Sequence, residues 1–129
     1  MIPLFIVRIL EGQQLSICGD GRQTRDFVYV EDVAAANWHA AQGEMRGVYN
    51  VGTGRAVAIL ELADIVCEIL ETEQAYTYIE SRPGDVLSST ASIERTLQAL
   101  DWRVKWSLEA GLRETVKWWR ASVREMVND

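Results

Sequence analysis

Two polar turns in this sequence carry charged residues of the types that bind anions and hydroxyl groups. The first turn, residues 19–21, leads into Arg25, and the second, residues 81–85, contains Arg82 and Asp85. Planar guanidinium groups hold phosphates through paired, charge-assisted hydrogen bonds, and a carboxylate accepts hydrogen bonds from a diol. Taken alone, each charge is better explained as a solvated side chain or a surface ion pair, such as Arg25 with Asp26. The residue types therefore allow a phosphate-binding site without establishing one.

The elements that must position Arg25 are a turn, a strand and a helix within residues 19–33. The two glycines of the turn allow backbone angles that other residues resist. The bulky, β-prone residues 27–30 predict a strand. Asp32 is predicted to cap a helix that begins at the next residue, where alanines are frequent.

The rest of the chain is predicted to alternate short helices and strands. The prediction with the strongest pattern is an amphipathic helix over residues 59–70, whose apolar residues recur on one face. Other helices are predicted over residues 3–10, after a cap at Ser92 and after a cap at Ser107, and strands over residues 15–18, 48–51 and 75–80. No repeat or low-complexity linker interrupts the pattern, so the 129 residues are predicted to form a single α/β domain.

The turn Gly52-Thr53-Gly54 lies between a predicted strand and a predicted helix, as a dinucleotide-binding turn does. The third glycine of the GxGxxG pattern is replaced by Val57, so NAD binding is not predicted at this turn. Trp102, Trp106 and Trp118 could form a platform for a sugar ring, but their position near the last helix favours packing in a core or an interface.

Composition excludes several classes of function. The net charge of −6 argues against nucleic acid as a partner, and no stretch approaches the ~20 apolar residues that a membrane span needs. The absence of a signal-peptide pattern predicts a cytoplasmic protein. Cys18 and Cys67 are predicted to be buried free thiols, and His39 is predicted to be structural or at the surface. A chain with one histidine and no clustered cysteines does not predict a zinc site.

Four segments, in order along nearly the whole chain, resemble the carboxy-terminal half of the NAD-dependent epimerase/dehydratase family of extended short-chain dehydrogenases. They are residues 19–33, residues 49–54, residues 82–86, and Asp101-Trp102 followed by residues 107–112. Two positions depart from the family pattern. Ala58 replaces a helix-capping serine, and Asp101 replaces a glycine that ends a helix. The resemblance is greatest to UDP-sugar 4-epimerases and implies a small mixed α/β substrate-binding domain without the amino-terminal Rossmann domain.

The resemblance also implies which chemistry should be present. The family reaction needs a glycine-rich NAD loop and a Tyr-x-x-x-Lys pair, and neither occurs here. The four tyrosines are followed four positions later by Val33, Thr53, Glu80 and Arg82. We therefore expect an excised or truncated substrate-binding part, without its own cofactor and inactive alone, with NAD bound only in full-length members.

Four residues carry the substrate-binding roles that the resemblance implies. Arg25 and Arg82 would each contact a phosphate of a nucleotide sugar, with UDP as the preferred nucleotide. Asp85 would accept from a ribose hydroxyl, and Asn50 would offer its amide to the nucleotide. These four residues are predicted to converge on one concave site. The alternative is a stand-alone ligand-binding or self-associating module. We also expect a homo-oligomer, with residues 48–51 or the alanine-rich helix at its interface.

Overall fold

The computed structural model describes residues 1–43, 46–73, 75–81 and 83–128, with side chains described as far as Ser122. Short strands alternate with helices along the chain. The elements are α1 (Ile2–Leu10), β1 (Leu15–Cys18), β2 (Thr24–Arg25), α2 (Val30–Gln42), β3 (Val57–Ala58), α3 (Ile59–Leu70), β4 (Tyr76–Ile79), β5 (Ser88–Ser89), α4 (Glu94–Ala99) and α5 (Leu108–Asn128).

The strands form two small sheets, one with parallel strands and one with mixed pairing. In the first, β1 and β4 are parallel, with Leu15 opposite Tyr76 and Cys18 opposite Ile79. In the second, β2 lies in the middle, antiparallel to β3 and parallel to β5. Arg25 pairs with Val57 on one side and Ser89 on the other. The central strand of the second sheet therefore carries Arg25 between two segments that are distant in sequence.

Two hydrophobic clusters hold these elements together. The larger cluster contains residues of α1, β1, α3 and α5, and its fully buried members include Ile6, Ile17, Leu62 and Val66. The smaller cluster joins α2 to the segment after α4, through buried residues such as Ala36 and Trp102. Burying a large aliphatic side chain contributes about 1.5–3 kcal/mol to stability. The residues of α3 predicted to share one face are in this core or packed against it, which confirms that prediction.

Several other local predictions are confirmed. Gly19 and Gly21 have φ values of +61° and +75°, and a Cβ on Gly21 would lie 2.9 Å from the Ile17 side chain. Ser107 accepts a hydrogen bond from the Ala110 amide at 3.1 Å, as a cap of the last helix. Ala58 stands at the start of α3 without a side-chain cap.

The prediction of a strand over residues 27–30 is wrong. Residues 27–29 form no ladder, and α2 begins at Val30 with Tyr29 in an extended conformation before it. The Tyr29 ring instead packs against Trp106, with ring centroids 4.6 Å apart. Bulky residues favour strands because they pack well on a half-buried surface. Here Tyr29 packs against Trp106 instead of against a neighbouring strand.

The predicted role of Asp32 as a helix cap is also wrong. Asp32 lies inside the first turn of α2, only 2% exposed. Its carboxylate accepts hydrogen bonds from the backbone amides of Lys105 and Trp106 at 3.0 and 3.1 Å. Its main-chain oxygen accepts from the Trp102 indole at 2.9 Å. Through these hydrogen bonds, Asp32 connects the segment before α5 to the start of α2.

Two further predictions fail, one between α2 and β3 and one just before α4. Residues 48–51 form no strand, because Asn50 is held by side-chain contacts rather than a ladder. Ser92 does not cap α4, which follows Ile93; its hydroxyl donates to Glu94 at 2.6 Å instead.

The tryptophans and cysteines differ among themselves. Trp102 and Trp106 are packing residues, whereas Trp118 leaves 62% of its surface exposed. Both cysteines are free; Cys67 is buried as predicted, whereas Cys18 is only half-buried. Within the described part of the chain, no helix is long and apolar enough to cross a membrane. The same residues contain no group of three or more acidic, histidine or cysteine side chains that could hold a metal ion.

Candidate functional site

The centre of the candidate site is an ion pair between two residues sixty positions apart. The Arg25 guanidinium lies 3.0 Å from an Asp85 carboxylate oxygen, with the side chains 27% and 36% exposed. The same guanidinium donates to the main-chain oxygens of Thr24 and Val86, each at 2.7 Å. The predicted alternative partner, Asp26, is not the residue with which Arg25 pairs. Arg25 keeps unused N–H groups at a partly open surface, since a guanidinium has five donors.

One side of this pair faces a cleft of about 390 Å³ beneath α1, which we call the α1 cleft. Its walls combine apolar residues of α1, α3 and β4 with polar side chains that include Arg8, Ser16 and Gln23. Arg8 donates to the Ser16 hydroxyl at 2.5 Å, and Gln23 donates to the Cys18 main-chain oxygen at 3.0 Å. Apolar walls with a few fixed polar groups are typical of small-molecule sites.

The other side of Arg25 borders an open, polar cleft of about 500 Å³. This polar cleft is lined by Asp26, Tyr49, Asn50 and residues 89–92. The Asn50 amide donates to the Ser92 main-chain oxygen at 3.2 Å, and its main-chain oxygen accepts from the buried Thr96 hydroxyl at 2.6 Å. Arg25 borders both clefts, whereas Asp85 lines the α1 cleft and Asn50 lines the polar cleft. That the four residues form one concave site stays a prediction. Their contact with a ligand stays a prediction, and Arg82 lies outside the described residues.

Asp26 is the residue that sequence reasoning missed. One carboxylate oxygen accepts from the Thr53 amide and hydroxyl at 2.8 and 2.5 Å, and the other accepts from the amides of Gly54 and Ala91 at 2.9 and 3.1 Å. Burial alone would raise the pKa of Asp26. The hydrogen bonds from the Thr53 side chain and the three amides outweigh it, so the pKa lies below its ordinary value.

The same four hydrogen bonds test whether the Gly52-Thr53-Gly54 turn fits a dinucleotide. The amides that would face a pyrophosphate at such a turn, those of Thr53 and Gly54, are donated to Asp26. A Cβ on Gly52 would lie 2.6 Å from the Ala91 Cβ and 2.8 Å from an Asp26 oxygen, so this glycine serves internal packing. Because these amides already donate to a protein carboxylate, the turn as folded does not fit the pyrophosphate of NAD.

The described residues thus form a mixed α/β fold in which Arg25 lies between two clefts. Residues 1–52 match the model of the NAD dependent epimerase/dehydratase family. This match covers about two fifths of the chain and includes Arg25 and Asn50, so the chain is similar to members of this family.

Similar proteins extend the likeness to nearly the whole chain. dTDP-glucose 4,6-dehydratase 1 of Escherichia coli K12 is 34% identical, over 99% of this chain and 38% of its own length. A putative UDP-glucose 4-epimerase of Methanocaldococcus jannaschii is 35% identical, over 96% of this chain and 40% of its own. The solved UDP-N-acetylglucosamine 4-epimerase of Methanobrevibacter ruminantium M1, in complex with UDP-N-acetylmuramic acid, superposes with a TM-score of 0.89 at 39% identity. It covers 95% of this chain and 39% of that structure. The chain thus spans about two fifths of the length of these relatives and has the fold of extended short-chain dehydrogenases.

Proposed function

We propose that this chain is the nucleotide-sugar-binding part of an NAD-dependent sugar epimerase or dehydratase. The observation that carries the proposal is the meeting of Arg25 and Asp85, 3.0 Å apart, where two clefts adjoin. A nucleotide sugar has a flat base and ribose at one end, a diphosphate in the middle and a polar sugar at the other. The order of apolar cleft, arginine and polar cleft matches that order of chemical groups.

Each predicted residue then takes one part of the ligand. Arg25 holds a phosphate with the N–H groups that remain free, and Asp85 accepts from a ribose hydroxyl with its second oxygen. Asn50 lines the polar cleft, and we propose that it meets the sugar there rather than the nucleotide that the resemblance implies. Arg82 is proposed as the second phosphate ligand, on the resemblance of its segment alone. The complex of the Methanobrevibacter relative with UDP-N-acetylmuramic acid favours UDP as the nucleotide.

Catalysis and cofactor binding are assigned to residues that this sequence does not contain. No tyrosine here is followed four positions later by a lysine, so no phenol has the neighbouring cation that would lower its pKa for proton transfer. The one turn that resembles a dinucleotide-binding turn has its amides bound to Asp26. We therefore propose a substrate-binding role for this chain and no turnover by it alone.

Replacing Arg25 by alanine is expected to weaken UDP binding about tenfold, the effect of losing one charge-assisted contact at a partly open site. Isothermal titration calorimetry of the purified chain with UDP measures this effect. The matched control is Arg22→Ala, because the Arg22 side chain is 88% exposed and its ion pair among the described residues is a 3.6 Å contact with Asp20. Asp85→Asn is expected to weaken binding as well. Equal UDP affinity in the Arg25 and Arg22 variants contradicts the proposed site.

A second candidate function is self-association. Exposed apolar residues favour it in the two segments predicted to form the interface, residues 48–51 and the alanine-rich helix α2. Trp38 on α2 is 65% exposed and Val48 is 82% exposed. Large apolar side chains at a surface are often covered by a partner, and a symmetric dimer covers the same surface twice. This candidate commits to a second copy of the chain as the partner.

Light scattering over a concentration series is expected to show a dimer mass that falls toward the monomer mass on dilution. Trp38→Ser is expected to shift this equilibrium toward monomer by about tenfold, because an interface aromatic commonly contributes more than about 1 kcal/mol. Leu10→Ser is the control, since Leu10 is 44% exposed but lies on α1. A monomer mass at the highest concentration rules out self-association by these segments.

A further inference from the structure

Residues 24–26 hold the segment of residues 85–91 at successive points along its length. In order along that segment, Arg25 contacts Asp85 and Val86, Thr24 contacts Leu87 and Ser88, and Asp26 contacts Ala91. Arg25 is the last residue of β2, and Asp26 follows it directly in the chain. The two neighbours therefore hold opposite ends of the same segment.

Asp26 also holds a third segment, the turn at residues 53–54. Its carboxylate receives four hydrogen bonds between 2.5 and 3.1 Å, three from the turn and one from Ala91. The donors lie 27, 28 and 65 positions away in sequence, so one side chain joins three separate parts of the chain. These parts form walls of the polar cleft or adjoin it.

We propose that Asp26 is a positioning residue for phosphate recognition: it fixes residues 53–54 and 85–91 around Arg25, so that the guanidinium group faces the ligand. The inference rests on the proposed function and adds a residue that does not itself contact the ligand. Without the bond to Ala91, the segment keeps its ladder with β2 but loses its attachment at the far end, so Asp85 and Val86 hold the guanidinium less firmly. The ligand must then order Arg25 on binding, at a cost in affinity.

The substitution Asp26→Asn tests this role because it keeps the size of the side chain and changes its hydrogen bonding. An amide has one acceptor oxygen, and its NH₂ group cannot accept from the amides that now face the second carboxylate oxygen. Asp20→Asn is the matched control, since Asp20 is an exposed aspartate of the same turn region that accepts only from Arg22. Thr53→Val is a milder second variant, because it keeps the amide donor to Asp26 and removes the hydroxyl, which donates to Asp26 and accepts from the Arg55 amide.

The measurement is the ratio of the dissociation constants for uridine and UDP, obtained by calorimetry or NMR titration of each folded variant. This ratio isolates the contribution of the phosphates, whereas a loss of stability alone leaves it unchanged. We expect about a tenfold preference for UDP in the wild-type chain, lowered about fivefold by Asp26→Asn and about twofold by Thr53→Val. Asp20→Asn is expected to keep the wild-type ratio.

The outcomes separate this inference from the proposed function. Binding of neither uridine nor UDP by the wild-type chain overturns both. A wild-type preference for UDP that persists in Asp26→Asn overturns the positioning role alone. If Asp26→Asn does not fold, the ratio in Thr53→Val decides, and a wild-type ratio there overturns the inference.

Discussion

Replacing Asp32 by alanine is expected to lower the free energy of unfolding by about 2–4 kcal/mol, since it removes the acceptor of two amide hydrogen bonds at a buried position. The Asp32 side chain is 2% exposed and receives the amides of Lys105 and Trp106. Alanine leaves these two amides without their acceptor, and the main-chain oxygen that accepts from the Trp102 indole is kept. The loss is expected to loosen the connection between α2 and α5.

Urea denaturation followed by tryptophan fluorescence measures the change. Asp20→Ala is the control, because the Asp20 side chain is 67% exposed and the expected loss is within about 0.5 kcal/mol. Asp32→Asn should lie between the two, since an asparagine oxygen can keep one of the two hydrogen bonds. Equal stability of the Asp32→Ala and Asp20→Ala variants shows that these hydrogen bonds contribute little.

The parts of the fold that could be predicted from sequence are those that local patterns determine. The face of α3 follows from apolar residues spaced three and four apart, because one side of a helix must meet the core. The turn at residues 19–21 follows from its glycines, one of which has no room for a Cβ against Ile17. The cap at Ser107 follows from the chemistry of helix ends, which involves only residues close in sequence.

The parts that could not be predicted depend on partners distant in the chain. The local sequence predicts a helix cap at Asp32, because aspartate commonly caps the start of a helix. In the structure its carboxylate instead accepts hydrogen bonds from backbone amides 73 and 74 positions away. For Asp26, the local sequence suggests only an ion pair with its neighbour Arg25. Its four donors lie at least 27 positions away, and no local pattern marks them.

The candidate site occupies an intermediate position between these two cases. Neither spacing nor composition predicts that Arg25 meets Asp85 across sixty residues. The family resemblance places both residues at one predicted site, because the order of the motifs carries information about the folded arrangement, but it does not predict their ion pair. For Asp26, the feature of the sequence that relates to its contacts is the Gly52-Thr53-Gly54 turn. Gly52 lies so close to Asp26 and Ala91 that a side chain at this position would not fit.

That close packing leads to the second large expected effect, from Gly52→Ala. A Cβ at this position would lie 2.6 Å from the Ala91 Cβ and 2.8 Å from an Asp26 oxygen, closer than such atoms approach in folded proteins. The Ala91 Cβ is fixed to the main chain, so residues 89–91 must move and the hydrogen bond from Ala91 to Asp26 must lengthen. Overpacking of this kind costs about 1–3 kcal/mol, and we expect a loss of about 2 kcal/mol in the free energy of unfolding.

A double-mutant cycle separates this contact from a general effect of the substitution. Ala91→Gly removes the atom that the new methyl group meets first, so the Gly52→Ala, Ala91→Gly double variant should recover about half of the lost stability, as expected for residues in direct contact. Gly12→Ala is the comparison, because Gly12 has φ +70° and a Cβ added there would have nothing within 4 Å, so only backbone strain acts at that position. Ala91→Gly should not rescue Gly12→Ala. If the stability losses of Gly52→Ala and Ala91→Gly are strictly additive in the double variant, Gly52 does not pack closely against Ala91. That result would also contradict the close packing of Gly52 and Ala91 around Asp26.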